Sequence, residues 1–248
     1  MAHTGFRKTP EMVMWSPNDL GVGVGPHELD ELGPFEVQCC SIRGNGRLII
    51  TGANQKVCIY IRMCVLSDDA HNDSLLASVY DTYQMMRESV EMAHAYVTSY
   101  LPLLLQCFRL PSPINPLYHP RRDLHIHAPF WTDSYDTEYL GSVAGVAILS
   151  YATARPMRPE VGIRGMLSVN GELYGVEGGC RAQCNIISSC INQGLKKVVL
   201  GGDPNIGLEG EAKALADAHG IVVVMVPFLW QALDHLFDMS SASSSSDS

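Results

Sequence analysis

The heptapeptide Asp123-Leu-His-Ile-His-Ala-Pro129 alternates apolar and polar side chains. This alternation predicts a β-strand, because successive side chains of a strand point to opposite faces of a sheet. His125 and His127 then lie on the same face, where they could bind a divalent metal ion. We favour a structural role for both histidines and expect no bound metal.

Sequence on the N-terminal side of this strand predicts further strands and one long helix. Gly33–Gly52 has the pattern of a hairpin that turns at Arg43-Gly-Asn-Gly46, and Lys56–Leu66 predicts another strand. Between Leu75 and Leu105 apolar residues recur at intervals of three and four, which predicts an amphipathic helix. Four prolines between Pro111 and Pro120 then indicate a surface connection.

On the C-terminal side, predicted helices and strands alternate. They are the helix Leu140–Thr153, a hairpin in Val161–Tyr174, the helix Arg181–Gln193, the strand Lys197–Leu200, the helix Leu208–His219, the strand Ile221–Val226 and the helix Phe228–Met239. The whole pattern predicts a mixed α/β (α+β) single domain built from hairpins and βα units.

Composition limits the possible functions and locations. A net charge of -9 argues against a general nucleic-acid or membrane-surface binder, and no apolar run reaches the roughly 18–20 residues of a membrane span. Residues 1–20 are expected to form an N-terminal extension, residues 21–239 the domain and residues 240–248 a disordered serine-rich tail. The acid-poor start with Arg7 and Lys8 is compatible with a mitochondrial presequence or a frayed terminus, so a cytoplasmic or mitochondrial location stays open.

The eight cysteines show no paired CxxC spacing and are expected to be free thiols. Cys180, Cys184 and Cys190 lie at helical spacing and could be metal ligands. We favour the alternative that they are small core residues on a buried helix face.

Asp123-Leu-His-Ile-His-Ala-Pro129 resembles the D-I-H-I-H-V-P strand of the Lon protease proteolytic domain. Further segments resemble that family in the same order, namely Ile49-Ile-Thr-Gly52, Met86-Arg-Glu-Ser89, Arg155-Pro-Met-Arg-Pro-Glu-Val161, Gly178-Gly179 with the helix after it, and Gly194-Leu-Lys-Lys-Val-Val-Leu200. The resemblance implies the Lon proteolytic-domain fold over about residues 21–239, with insertions near 56–73 and 111–122.

The family's chemistry requires a serine hydroxyl and a lysine amine whose pKa is lowered by burial. Its serine stands ten residues after the proline of the histidine-containing strand, and in this sequence that position is Tyr139. Its lysine is the sixth residue of G-G-x-K-x-K, and here that residue is Gln183, with Arg181 at the fourth. Glutamine cannot act as a base and arginine stays protonated, so we expect no catalytic residue.

Two neighbouring features bear on this prediction. The family's T-G-E turn corresponds to Arg164-Gly165-Met166, so its threonine and glutamate are both replaced. Ser142 in Gly141-Ser-Val-Ala-Gly145 could be a displaced nucleophile, although this alternative still lacks a lysine. We favour a packing role for Ser142 at a close helix contact.

The resemblance therefore implies a pseudoprotease that serves as a structural, scaffolding or regulatory subunit. Protein partners are expected, in a homo-oligomeric ring or a larger assembly, and no cofactor, nucleic acid or membrane. The chain contains no G-x-x-x-x-G-K-[ST] phosphate loop, so we expect no ATPase module within it. The alternatives are an active Lon-type serine endopeptidase that uses Ser142 with a separate ATPase, and a subunit that modulates an active Lon ring.

Overall fold

The computed structural model describes residues 22–26, 32–39, 48–51, 72–115, 124–127, 139–175 and 179–239. The strands are β1 (Val22–Pro26), β2 (Leu32–Cys39), β3 (Leu48–Thr51), β4 (Leu124–His127), β5 (Val161–Arg164), β6 (Met166–Leu167), β7 (Leu173–Tyr174), β8 (Lys197–Gly201) and β9 (Val222–Val226). The helices are α1 (Asn72–Cys107), α2 (Leu140–Thr153), α3 (Gly179–Asn192), α4 (Gly210–His219) and α5 (Leu229–Leu236).

The histidine-containing strand β4 lies inside a four-stranded sheet of order β1-β2-β4-β3. It pairs antiparallel with β2 and parallel with β3. The hairpin predicted for Gly33–Gly52 is therefore wrong, although both of its strands exist. The two strands are separated because β4, which comes much later in the chain, pairs with each of them, a long-range effect that local turn residues cannot reveal.

A second sheet consists of three parallel strands in the order β5-β8-β9. Helix α3 precedes β8 and helix α4 connects β8 to β9, so this half is built from βα units. Between β5 and α3, β6 and β7 form a short antiparallel pair. The hairpin predicted in Val161–Tyr174 is thus confined to β6 and β7, because β5 pairs with β8 instead.

Helix α2 is the centre of the core. All of its residues except Tyr151 are buried, and it packs on α1 and on β1 and β2. Its sequence LGSVAGVAILSYAT consists mostly of small and aliphatic residues, which allow close approach from several sides and leave no polar face. The residue immediately before this helix, Tyr139, is therefore also placed in the interior.

The predicted mixed α/β fold is confirmed. Helix α2 has the predicted bounds, and the other predicted helices and the strands after Pro129 differ from the observed ones by a few residues at their ends. The strand predicted for Lys56–Leu66, the extension 1–20 and the tail 240–248 lie outside the described residues. In the part of the chain that the structure describes, none of the helices combines the length and apolar character needed to span a bilayer.

Candidate functional site

Tyr139 occupies the position immediately before α2. Its backbone is helical (φ -85°, ψ -7°), and its side chain is only 5% exposed. The ring lies against the guanidinium of Arg164, whose central carbon is 4.3 Å from the ring centroid. This distance is well within the range of a cation–π interaction.

Arg164 ends β5 and is among the largest fully buried side chains, with 1% exposure. A buried arginine charge is costly unless nearby groups stabilise it. The face of the Tyr139 ring supplies part of this stabilisation, and a desolvated cation–π pair contributes about 2 kcal/mol. The two residues thus form one buried unit between the start of α2 and the end of β5.

The first turn of α2 is fixed to α1 through Ser89. The backbone N–H of Gly141 donates to the Ser89 hydroxyl oxygen at 2.8 Å, which satisfies one of the N–H groups left open at a helix start. A Cβ at Gly141 would lie 3.0 Å from the Ser89 carbonyl oxygen and 3.2 Å from Cβ of Leu167. Only glycine permits so close an approach without displacing the two helices.

Ser142 has no exposed surface. Its hydroxyl donates to the backbone carbonyl of Tyr139 at 3.0 Å, so the proton points back into the first turn of its own helix. A serine nucleophile must reach a substrate carbonyl and pass its proton to a base. In this position Ser142 does neither, and its described contacts are those of a packing residue.

Gln183 lies on α3 and is also buried, with 7% exposure. Its side-chain oxygen accepts a hydrogen bond from the backbone N–H of Glu209 at 2.9 Å, and Glu209 is the residue that precedes α4. Gln183 therefore joins α3 to the start of α4. The structure links Tyr139 to Arg164 and Gln183 to Glu209, and the contacts described for these residues do not join the two positions to each other.

The basic residues nearest to Gln183 in the sequence are Arg181, Lys196 and Lys197. Arg181 is exposed on α3. Lys196 and Lys197 follow the end of α3, and Lys197 begins β8. Burial lowers the pKa of His235 on α5, and the positive charge of Lys197 lowers it further. The charge of Lys197 thus acts on α5.

The cysteines of α3 fall into two environments. Cys190 is completely buried, and burial raises the pKa of its thiol to about 12. Cys180 and Cys184 are half-buried, and their sulfur atoms and a carboxylate oxygen of Glu211 all lie within 4.8 Å of one another. The core assignment is confirmed for Cys190 and wrong for the other two, since these face α4 near its exposed first turn.

Sequence reasoning did not find Glu211 as a neighbour of these cysteines. The interval between Cys180 and Cys184 indicated a pair on one helix face, but Glu211 joins it only through the packing of α3 on α4. Burial raises the pKa of Cys184, and hydrogen bonding to Cys180 and the charges of Cys180 and Glu211 raise it further. Cys180 and Glu211 therefore interact electrostatically with Cys184.

The described backbone of β4 keeps His125 and His127 on one face of the first sheet. His125 is opposite Gln38 on β2 and Ile49 on β3, and His127 is opposite Glu36 and Thr51. Their imidazoles lie outside the described part of the structure, so the structural role assigned to them stays a prediction.

Residues 72–224, more than half of the 248-residue chain, match the family model of the Lon protease (S16) C-terminal proteolytic domain. The chain belongs to this family. The matched range includes Tyr139, Ser142, Arg164 and Gln183.

Similar proteins carry the same family name. The Lon protease of Brevibacillus choshinensis is 26% identical over 134 residues, which is 54% of this chain and 16% of that protein. The Lon protease of Bacillus thuringiensis is 25% identical over 151 residues, or 61% and 17%. That of Azorhizobium caulinodans is 28% identical over 134 residues, or 54% and 13%. The chain spans about a sixth of the length of the curated relatives it matches.

Proposed function

We propose that this chain is a Lon-type proteolytic domain without peptidase activity, a pseudoprotease that acts as a structural, scaffolding or regulatory subunit. The observation that carries the proposal is the buried contact between Tyr139 and Arg164. We assign Tyr139 to the position of the family's catalytic serine and Arg164 to the threonine of its T-G-E turn. Two residues that differ from those of the family therefore contact each other.

The Tyr139–Arg164 contact is poorly suited to nucleophilic catalysis. A tyrosine hydroxyl ionises near pH ~10 in ordinary surroundings, and a catalytic hydroxyl also needs a base and room for a substrate carbonyl. The guanidinium of Arg164 has no acceptor atom that could take the hydroxyl proton. The side chains at this position therefore stabilise the fold and leave no group to attack a peptide bond.

The second dyad position supports the same conclusion. Gln183 has an amide, which does not accept a proton at neutral pH, and its oxygen already accepts the N–H of Glu209. Because the members of a catalytic dyad act as a unit, loss of either one removes most of the rate. In this chain Tyr139 replaces the serine nucleophile and Gln183 replaces the basic lysine under the proposed assignment, so neither member of the dyad is present.

The competing hypothesis is an active peptidase that uses Ser142. Its buried hydroxyl donates to Tyr139, and exposure of its oxygen would require the first turn of α2 to open. This turn is also held by the bond from Gly141 to Ser89. The two hydrogen bonds favour the packing role over the catalytic one.

A peptidase assay separates these hypotheses. Purified full-length chain would be incubated with casein and with fluorogenic peptides, with and without ATP, beside a Ser142→Ala variant. We expect the same background rate from both proteins, because Ser142 is used in packing. Turnover by the wild type that Ser142→Ala abolishes, in a variant with unchanged circular dichroism, would refute the proposal.

A subunit role requires protein contacts, and the described surface carries suitable side chains. Tyr174 and Trp230 are about half exposed, and Trp230 stacks on Phe228 at 6.5 Å between ring centroids. Tyr174 and Phe228 line a shallow groove of about 390 Å³. Exposed aromatic residues are enriched in protein interfaces, which supports a ring of identical subunits or a larger assembly.

The solution mass tests self-assembly. Sedimentation over a range of concentrations should give a multiple of the 27.1 kDa chain mass. Trp230→Glu should shift the equilibrium toward the single chain, whereas Ile206→Glu, another exposed apolar position, serves as the matched control. A single-chain mass at every concentration would contradict self-assembly and leave only a complex with another protein.

A further inference from the structure

Three metal-ligating side chains converge where α3 packs on α4. Cys180 and Cys184 are four residues apart on α3 and therefore lie on one helix face, a turn from each other. Glu211 lies in the first turn of α4. The two sulfur atoms and a carboxylate oxygen are all within 4.8 Å of one another.

We propose that Cys180, Cys184 and Glu211 bind a thiophilic divalent cation, with Zn²⁺ as the best match. Two cysteine sulfurs and one carboxylate oxygen are ligands that zinc accepts in tetrahedral sites, whereas magnesium and calcium require mainly oxygen. The three side chains supply three of the four positions. Water or another ligand takes the fourth, because Glu211 is exposed to solvent.

The distances are compatible with such a site after a small adjustment. Zinc bonds of ~2.3 Å to sulfur and ~2.1 Å to oxygen place tetrahedral ligand atoms roughly 3.5–3.8 Å apart. Atoms now up to 4.8 Å apart must therefore approach by about an ångström. Cys180 and Cys184 are half-buried and Glu211 is exposed, so rotation of these side chains suffices.

The surrounding backbone already holds the two helices in position. The side-chain oxygen of Gln183 accepts a hydrogen bond from the backbone N–H of Glu209. The Cys180 thiol lies 3.9 Å from the backbone carbonyl oxygen of Glu209. Both contacts connect the first turns of α3 to the residue just before α4. The ligands therefore come from two elements whose relative position does not depend on the ion.

Metal binding here is an exchange of protons for a cation without a redox step. Each of the two thiols releases its proton to the solvent, and two Zn–S bonds and one Zn–O bond form. The bound ion would cross-link α3 to α4 beside Gln183. This site is independent of the pseudoprotease proposal, because it uses none of the residues that decide peptidase activity.

Cobalt and zinc binding tests the proposal on the reduced, tag-free full chain. Addition of Co²⁺ alone should produce a thiolate-to-cobalt charge-transfer band that saturates at one equivalent and disappears on addition of Zn²⁺. Cys180→Ser, Cys184→Ser and Glu211→Gln should each weaken Zn²⁺ binding by at least ~10–100-fold, the loss already typical of a residue that only supports a ligand. The matched controls are Cys107→Ser and Asp217→Asn, which should bind as the wild type does.

Thiol protection locates the site without a variant. Saturating Zn²⁺ should slow the alkylation of Cys180 and Cys184 in the wild-type chain at least tenfold, while alkylation of Cys107 stays unchanged. Absence of the cobalt band, equal loss in the Cys107→Ser control, or unprotected Cys180 and Cys184 would overturn the proposal. Recovery of a Cys180–Cys184 disulfide from the reduced chain would overturn it as well.

Discussion

The starts of α2 and α3 carry Tyr139 and Gln183, which we assign to the serine and lysine positions of the Lon family, and the two residues differ in their surroundings. At α2, Tyr139 is buried beneath Arg164 and the helix is pressed against Ser89. At α3, Gln183 is buried but bonds to Glu209, and half-exposed Cys180 and Cys184 lie beside it. The first region is a filled interior and the second is a polar junction between two helices.

If the proposed pseudoprotease assignment holds, this difference shows two physical ways in which a catalytic pair can be lost. Tyr139, which we assign to the nucleophile position, is part of the core, where its substitution removes packing and a cation–π contact. Gln183, which we assign to the position of the base, has a hydrogen-bonding side chain that joins α3 to the residue before α4. Disruption of the α2 region should therefore cost more stability than disruption of the α3 region.

Tyr139→Ala should have the largest effect on stability. Loss of a buried aromatic ring costs about 3–5 kcal/mol, and here the guanidinium of Arg164 also loses the face on which it rests. Tyr139→Phe keeps the ring and should cost at most about 1.5 kcal/mol. Urea unfolding measures both, and equal losses for the two variants would contradict the role assigned to the ring.

Gly141→Ala should come next, with a loss of about 1–3 kcal/mol, because the added Cβ meets the Ser89 backbone and Leu167. Gly210→Ala is the matched control in the first turn of α4, where nothing lies within 4 Å of the added Cβ. It should be neutral or stabilise the chain by up to ~1 kcal/mol. A neutral or stabilising effect of Gly141→Ala would contradict the close packing of α2 on Ser89 and Leu167.

Ser89→Ala should cost about 1–2 kcal/mol, because the buried N–H of Gly141 loses its acceptor. Ser188→Ala removes an exposed hydroxyl that bonds the Cys184 carbonyl, and it should change stability by less than ~0.5 kcal/mol. Thermal and urea unfolding of the two variants provide the comparison. A loss for Ser188→Ala equal to that for Ser89→Ala would contradict the role assigned to the Ser89 hydroxyl at the start of α2.

Gln183→Met should have the smallest effect, about 0.5–1.5 kcal/mol, because the N–H of Glu209 is near solvent and can bond to water. Gln193→Met, at an exposed position just after α3, is the control and should lie within ~0.5 kcal/mol of wild type. A loss of stability for Gln183→Met as large as that for Tyr139→Ala would contradict the prediction that the α2 region contributes more to stability than the α3 region.

Sequence patterns predicted those parts of the fold that depend on local order along the chain. The periodicity of α1, the small-residue composition of α2 and the apolar runs of β8 and β9 are local properties, and each gave the correct type of element. The pairing of β2 with β3 was predicted wrongly, because β4 lies between these two strands and pairs with both. Which strands pair depends on contacts distant in sequence, and a turn signal at Arg43-Gly-Asn-Gly46 does not determine it.

The candidate site shows the same limit. Counting along the chain assigned Tyr139, Gln183 and Arg164 to positions where the Lon family has other residues, and this assignment stays a prediction. The contact of Arg164 with Tyr139 and the convergence of Glu211 on Cys180 and Cys184 depend on the packing of separate elements, and no spacing rule relates them.

A double-mutant cycle between Tyr139 and Arg164 most directly tests the claim that a structural contact has replaced chemistry at the nucleophile position. Tyr139→Leu, Arg164→Met and the double variant would be unfolded in urea beside the wild type, with equal slopes required for the comparison. We predict a favourable coupling of about 1–2 kcal/mol between the ring and the guanidinium. A coupling within about 0.3 kcal/mol of zero would contradict the account.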